Sequence, residues 1–365
     1  MSKPQTRSAI KFDLFADAAR KAKIETLGDP LQVIARDIDF DHLTQVIDEL
    51  LPRGDAAKGG RPPYPTEVMV RILILKHLYN LSDEQMEYQL LDRMSYQRFC
   101  LLQDSARIPD RNTIWHYQQR LGVDGVTALF QAVDGQLLQR GYLARCGQII
   151  DATLVPAPIQ HFTKQEKVQL EQGSLPADWN AAKRRQKDLD ATHTKKHGKG
   201  YHGYKLSISV DARHKFIRKI TTGTASEHDS THFDDVLDEH NTSAAVYADR
   251  RYPSAQRSGM LKAVGYREHI QRKAKPGQPL SQCQKGRNKR IAKTRARVEH
   301  PFAQMRHMGG KFIRTIGQAR ATVAMTMMAA CYNLKRLAKF LGDGVDAFYK
   351  SAPSKTEVRL QGANA

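Results

Sequence analysis

Cysteine is scarce in this chain of 365 residues, and the four present, Cys100, Cys146, Cys283 and Cys331, lie far apart with no C-x-x-C pair. Neither a zinc site nor a disulfide framework is predicted, which fits a reducing cytosol. No stretch approaches the roughly 20 apolar residues that a membrane-spanning helix needs. The first residues, MSKPQTRSAIKFD, lack the apolar core of a signal peptide. Internal repeats and long low-complexity tracts are absent too, apart from a polar tail from about Ser351. A membrane protein and a secreted disulfide scaffold are thereby set aside.

The most informative shortage is of negative charge in one region. Residues 251–340 hold 21 Lys and Arg against two acids, Glu268 and Glu299, a net of +19 out of +20 for the whole chain. Charge this concentrated makes a local positive field rather than general solubility, suited to nucleic acid or, as the weaker reading, to an anionic membrane. A surface built only to bind polyanions would be better without Glu299, set within TRARVEHPF. With 40% hydrophobic residues the chain can bury a substantial core.

The chain reads in two parts and a tail: a helical region over 1–140, a mixed α/β region over 141–341 and a polar end over 342–365. The Gly and Pro cluster RGDAAKGGRPPYP is a loop. After it, Thr66, Ser82 (with Gln85 as a capping box), Ser95 and Asp110 are candidate caps for short helices. Such a run is compatible with a helix-turn-helix module or with a bundle that only packs. A further helix is read in VTALFQAVDGQLLQRG. Strands are predicted in GQIIDAT, YKLSISVDA, KFIRKITTG, AAVYAD and YREHIQ, with helices in STHFDDVLDEH, SAQRSGMLKAVG and RNKRIAKTRARVEHPFAQMRHM. Residues 317–341 read as a last helix whose methionines and alanines pack. Between the first two strands lies a basic insertion at about 155–200, which reads as an ordered arm over the active face or as a disordered loop, the arm being favoured.

Asp151 and Asp249 end the first and fourth strands, where side chains converge on a crevice in layered α/β domains. Either alone reads as an ordinary strand end, an Asp bonded to its own turn. Together with Glu299, 98 and 50 residues apart along the chain, they make an oxygen donor set for hard divalent cations. A metal pair about 4 Å apart can activate one oxygen and stabilise another in phosphodiester chemistry, with nearby arginines holding phosphates. Pro301 predicts a kink or restart near His300. The plainer reading of Glu299 is an intrahelical pair with Arg295. His228 and Asp229 in SEHDS have ligand chemistry, but Asp229 reads better as the cap of STHFDDVLDEH. Trp115 reads as core, and Trp179 in the insertion as a surface for base stacking.

In order, KGGRPPYP, LSDEQMEYQLLDRMSYQRF, IPDRNTIWHYQQRL, GQIIDATLV, YHGYKLSISVD, AVYADRRYPS and RARVEHPFAQMRHMGGKFIRTIG resemble the blocks of the DDE transposases of the insertion sequence 5 family, within the wider insertion sequence 4-like group. The resemblance covers roughly residues 10–341 and implies a ribonuclease H-like mixed-sheet catalytic domain preceded by an all-α domain. It implies Asp151, Asp249 and Glu299 as catalytic metal ligands for two ions, Mg²⁺ or Mn²⁺. Arg295, Arg306, Lys311, Arg314, Lys205 and Trp179 are the expected DNA contacts. Arg306 stands where the wider group has Lys, and Ala292 where it has Tyr. The implied activity is binding of terminal inverted repeats, strand cleavage and transfer of 3′ ends to target DNA, by a homo-oligomer pairing two ends in the bacterial cytoplasm, at the nucleoid when bound. The alternatives are a metal-dependent nuclease without strand transfer and an inactive DNA-binding remnant.

Overall fold

The computed structural model describes residues 13–52, 62–144, 146–196 and 198–344. Most of the Gly and Pro loop and the far C-terminal tail lie outside the described residues. Seven described helices come first: α1 (Ala16–Leu27), α2 (Pro30–Asp37), α3 (Phe40–Leu50), α4 (Thr66–Leu78), α5 (Asp83–Asp92), α6 (Met94–Phe99) and α7 (Arg111–Gln139). Ser82 and Gln85 make the reciprocal capping box of α5, and Asp110 accepts from the Thr113 amide to start α7, as their sequence positions predict. Thr66 differs. It is already helical, and its hydroxyl bonds Asp48 of α3 at 2.5 Å instead of capping α4. Ser95 likewise lies inside α6. The helix capped by Asp110 and the further helix read in VTALFQAVDGQLLQRG together form α7, interrupted between them by Gly122 at φ 57°.

The sheet contains β1 (Gln148–Pro156), β2 (Thr192–Lys196), β3 (Lys199–Asp211), β4 (Ile217–Thr224), β5 (Ala245–Ala248) and β6 (Arg267–Ile270). Their order is β2-β3-β1-β5-β6, with β4 on the same strand β3. β1 pairs antiparallel with β3 and parallel with β5, which pairs parallel with β6. The five strands read from sequence are all present. β2 is additional: its residues, THTKK, offer no apolar alternation, and pairing to β3 makes it a strand.

Helices α8 (Lys164–Glu171) and α9 (Ala181–Gln186) lie in the insertion, while α10 (Ala255–Ala263), α11 (Gln282–Arg295) and α12 (Glu299–Met305) follow the later strands. STHFDDVLDEH forms turns rather than the predicted helix. Tertiary bonds take the groups a helix would use: the Asp238 amide donates to Gln148, its carbonyl accepts from Gln148, and its carboxylate meets Arg218 at 3.3 Å. Phe233 and Val236 meanwhile join Ile150, Val246, Ala248 and Tyr252 in the core on one face of the sheet.

The other face carries the larger core, which runs without interruption from Leu31 of α2 to Ala338 of the last helix, α13 (Gln318–Asp343). α13 packs on α7, α4 and α2 as well as on β4 and β3. Its Met325, Met327, Met328, Ala329 and Ala330 are at most 2% exposed, which makes them packing residues. The buried Asn333 fixes the register by accepting from the Ile217 amide at 3.0 Å and donating to its carbonyl at 2.7 Å.

Within α4, His77 is buried with Nδ1 2.9 Å from the Leu73 carbonyl oxygen. Burial is the main cause that pushes its pKa down to about 4. The unfolded chain therefore takes up this proton first as pH falls, so stability is lost between about 6.5 and 4. His77→Gln should lose less stability than the unaltered protein over this window in urea unfolding. An equal loss would contradict the assignment.

Candidate active site

Two acids meet because β1 and β5 are neighbours in parallel register. Gln148 faces Val246 and Ile149 faces Tyr247. Alternate residues share a strand face, so Asp151 follows Ile149 and Asp249 follows Tyr247 at the same end of the β1–β5 ladder. Asp249 comes directly after the last residue of β5, but Asp151 does not end its strand as read from sequence: pairing with Ile208 of β3 carries β1 on to Pro156. Gly147 permits this approach: its φ is +86°, and a Cβ there would lie 2.5 Å from the Ala245 carbonyl oxygen. Asp249 also does what a strand-ending Asp ordinarily does, accepting from the Arg251 amide at 2.6 Å. Burial pushes the Asp151 carboxyl above its usual range; Arg295 pulls it down, and Asp249 adds to the rise.

Arg295 is committed to this pair. Its Nη2 donates to Asp151 Oδ2 at 2.6 Å and its Nη1 to Gln271 at 3.1 Å, so it forms no intrahelical pair with Glu299. The predicted break comes slightly earlier than His300. α11 ends at Arg295, a tight turn spans Ala296–Val298, and α12 restarts at Glu299. Pro301 thus falls in the first turn of α12, where its missing N–H is tolerated. Val298, Phe302 and Met305 are buried as the helical spacing predicts, while Glu299 is exposed. Among the described residues its carboxylate has no hydrogen bond or ion pair, and no three His, Cys, Asp or Glu groups converge as a metal site. The structure brings Asp151 and Asp249 together and leaves Glu299 one helical turn beyond Arg295.

A third acid does join the edge. Asp229 is no helix cap: it meets Lys205 Nζ at 2.8 Å and Arg251 Nη1 at 2.9 Å. Burial pushes Asp229 up, but these two cations outweigh it and hold the carboxyl below its usual range. Lys205, expected on DNA, is buried and also bonds the Glu227 carbonyl, so its ammonium is used inside the protein. Beneath lies Tyr252, buried with its hydroxyl unpartnered among the described residues. Its phenol is raised first by burial and then by Asp151, Asp229 and Asp249. SEHDS was the available signal for Asp229, and the helix read after it hid the role.

The insertion is ordered around Trp179, which corrects its reading as a stacking surface. Trp179 is 2% exposed; its Nε1 donates to Glu166 at 2.7 Å and its ring stacks on Phe162. Hydrogen bonds from Lys183, the Thr163 amide and Trp179 hold Glu166 down at about 2. Trp115 shows the reverse. Read as core, it is 42% exposed near the start of α7. Arg306, Lys311 and Arg314 follow α12 on the surface.

Residues 142–334 match the Transposase DDE domain family, and residues 19–120 match the Transposase domain (DUF772) family. No solved structure matches the chain. None of the described helices is long and apolar enough to cross a membrane. The DDE match covers more than half of the 365 residues and contains both Asp151 and Asp249, so the chain belongs to the DDE transposases, enzymes of DNA cleavage and transposition.

Proposed function

We propose that the protein is an insertion sequence 5 transposase with a ribonuclease H-like catalytic layer, which cleaves the ends of its own element and joins the 3′ ends to target DNA. The observation that carries this reading is the meeting of Asp151 and Asp249 where the parallel β1–β5 ladder ends, beside a strongly basic segment. Hard carboxylate oxygens, those of Asp151 partly buried, suit divalent cations such as Mg²⁺ or Mn²⁺. Asp151 and Asp249 would hold two ions, with Glu299 as the third ligand. Bound there, the ions would supply Lewis-acid activation of the oxygens at phosphorus. Because Arg295 occupies Asp151 Oδ2, metal ligation by that oxygen requires exchange with the guanidinium.

The chain's own groups account for holding the DNA. Arg306, Lys311 and Arg314 are exposed beyond α12, and Lys285, Lys289 and Lys293 repeat every four residues on α11. That spacing puts the lysines along one helix face, suited to a phosphate backbone. The helical region over 1–140 is proposed to recognise the terminal inverted repeats. Since α13 shares its core, that recognition belongs to the full chain. A homo-oligomer would pair two ends, in the cytoplasm and at the nucleoid when bound.

The test is incubation of the full chain and Mg²⁺ with duplex DNA carrying the sequences that flank its coding region, together with a target plasmid. Joined end–target products are expected. Cleavage without joining would make it a nuclease, and specific binding without either would make it a DNA-binding remnant.

A further inference from the structure

We propose that Arg251 contacts a DNA phosphate beside the Asp151–Asp249 pair and that Asp229 is the positioning residue that holds its guanidinium there. The proposal rests on the transposase reading above and concerns two residues that reading does not use. Arg251 donates its amide to Asp249 Oδ1 at 2.6 Å, so its side chain leaves the backbone at the rim of the acid pair. Nη1 then donates to Asp229 Oδ2 at 2.9 Å, while the side chain stays 43% exposed. No other described group accepts from its remaining side-chain N–H donors. A guanidinium pinned through one nitrogen and open at the others keeps a donor fork that matches two phosphate oxygens.

Asp229 is itself fixed. Its side chain is 13% exposed, and its other oxygen lies 2.8 Å from Lys205 Nζ, on a side chain only 7% exposed. Lys205 projects from β3 and is tied to the Glu227 carbonyl, so the anchor of Arg251 is anchored to the sheet. Arg257 closes the arrangement from the other side. It donates to the Tyr252 carbonyl at 2.6 Å and to the Ser230 carbonyl at 2.9 Å, joining the loop after Asp249 to the loop that carries Asp229. Negative charge on the carboxylates at this edge would repel an approaching phosphodiester. A fixed guanidinium at the rim offsets that repulsion and sets the phosphate's orientation.

Two readouts on the full chain test this. Binding is measured over a salt series on an arbitrary duplex of about 40 base pairs, where losing one phosphate contact lowers the log–log slope by about one. Arg251→Gln should show that loss, and Arg251→Lys should recover charge but only part of the affinity. Asp229→Asn should also lower the slope, although removing a negative charge would by itself tighten binding. Combined with Arg251→Gln, it should add nothing, since both changes act on one contact. An unchanged slope in Arg251→Gln overturns the proposal, as does tighter binding with an unchanged slope in a folded Asp229→Asn protein. Arg251→Gln leaves the Lys205–Asp229 pair in place, so the test stands even where Asp229→Asn fails to fold. The second readout is cleavage of the flanking-sequence duplex by Asp249→Asn. Undiminished cleavage there would sink the transposase reading, while the salt slopes judge Arg251 and Asp229 separately.

Discussion

Asp151→Asn and Asp249→Asn are each expected to lower Mg²⁺-dependent cleavage of end-containing DNA by roughly 10³-fold or more, the scale of removing one member of a catalytic unit. The amide keeps the carboxylate's shape but removes the charged oxygen donor. Combining the two should add little, because a site that has lost one ligand has already lost the function the second would serve. Binding should persist or tighten, since each change removes a negative charge beside the basic segment. Measured as single-turnover cleavage beside anisotropy binding, a folded variant retaining cleavage within a factor of about ten would contradict the assignment.

The second large effect concerns Arg295. Arg295→Gln leaves Asp151, 17% exposed and close to Asp249, without the guanidinium that now lies 2.6 Å away. Breaking a partly buried pair from one side should cost about 2–4 kcal/mol at neutral pH. The pH dependence follows from the direction of the Asp151 shift. Its folded pKa is already raised, and losing Arg295 raises it further, so the folded variant holds its proton where the unfolded chain releases it. Relative to the unaltered protein, the deficit should therefore grow as pH rises beyond the already raised folded range of Asp151 and nearly close in acid, where both folded forms hold the proton. Asp151→Asn in the same chain should recover most of the loss. A deficit independent of pH and untouched by Asp151→Asn would show that Arg295 acts elsewhere.

Some of this arrangement was legible in the sequence for plain physical reasons. GQIIDAT and AAVYAD are short β-branched or aromatic runs that each lead into an Asp, so Asp151 and Asp249 could be paired from sequence, although β1 continues past Asp151 because β3 pairs with it as far as Pro156. Pro301 announced the break in the basic helix. Tertiary contacts hid the rest. Lys205 reads as a surface cation until Asp229 is seen beside it, and Asp229 reads as a cap until Asp238, Gln148 and Arg218 are seen holding that segment out of a helix. The two tryptophans exchanged places for a similar reason. Trp179 finds Phe162 and Glu166 within the insertion's own small core, which its polar surroundings in sequence do not reveal. Trp115 begins a helix whose buried face is carried by Ile114, Gln118 and Leu121.

Glu299 is the residue on which the catalytic account turns, because it is exposed here while Arg295, one turn before it, holds Asp151. The most direct measurement is Mg²⁺-dependent cleavage of end-containing DNA by Glu299→Gln, with folding and DNA binding followed on the same preparation. The account predicts that cleavage collapses while binding stays equal or tightens. Normal cleavage by the folded, DNA-binding variant would remove Glu299 from the catalytic set and contradict the three-carboxylate site.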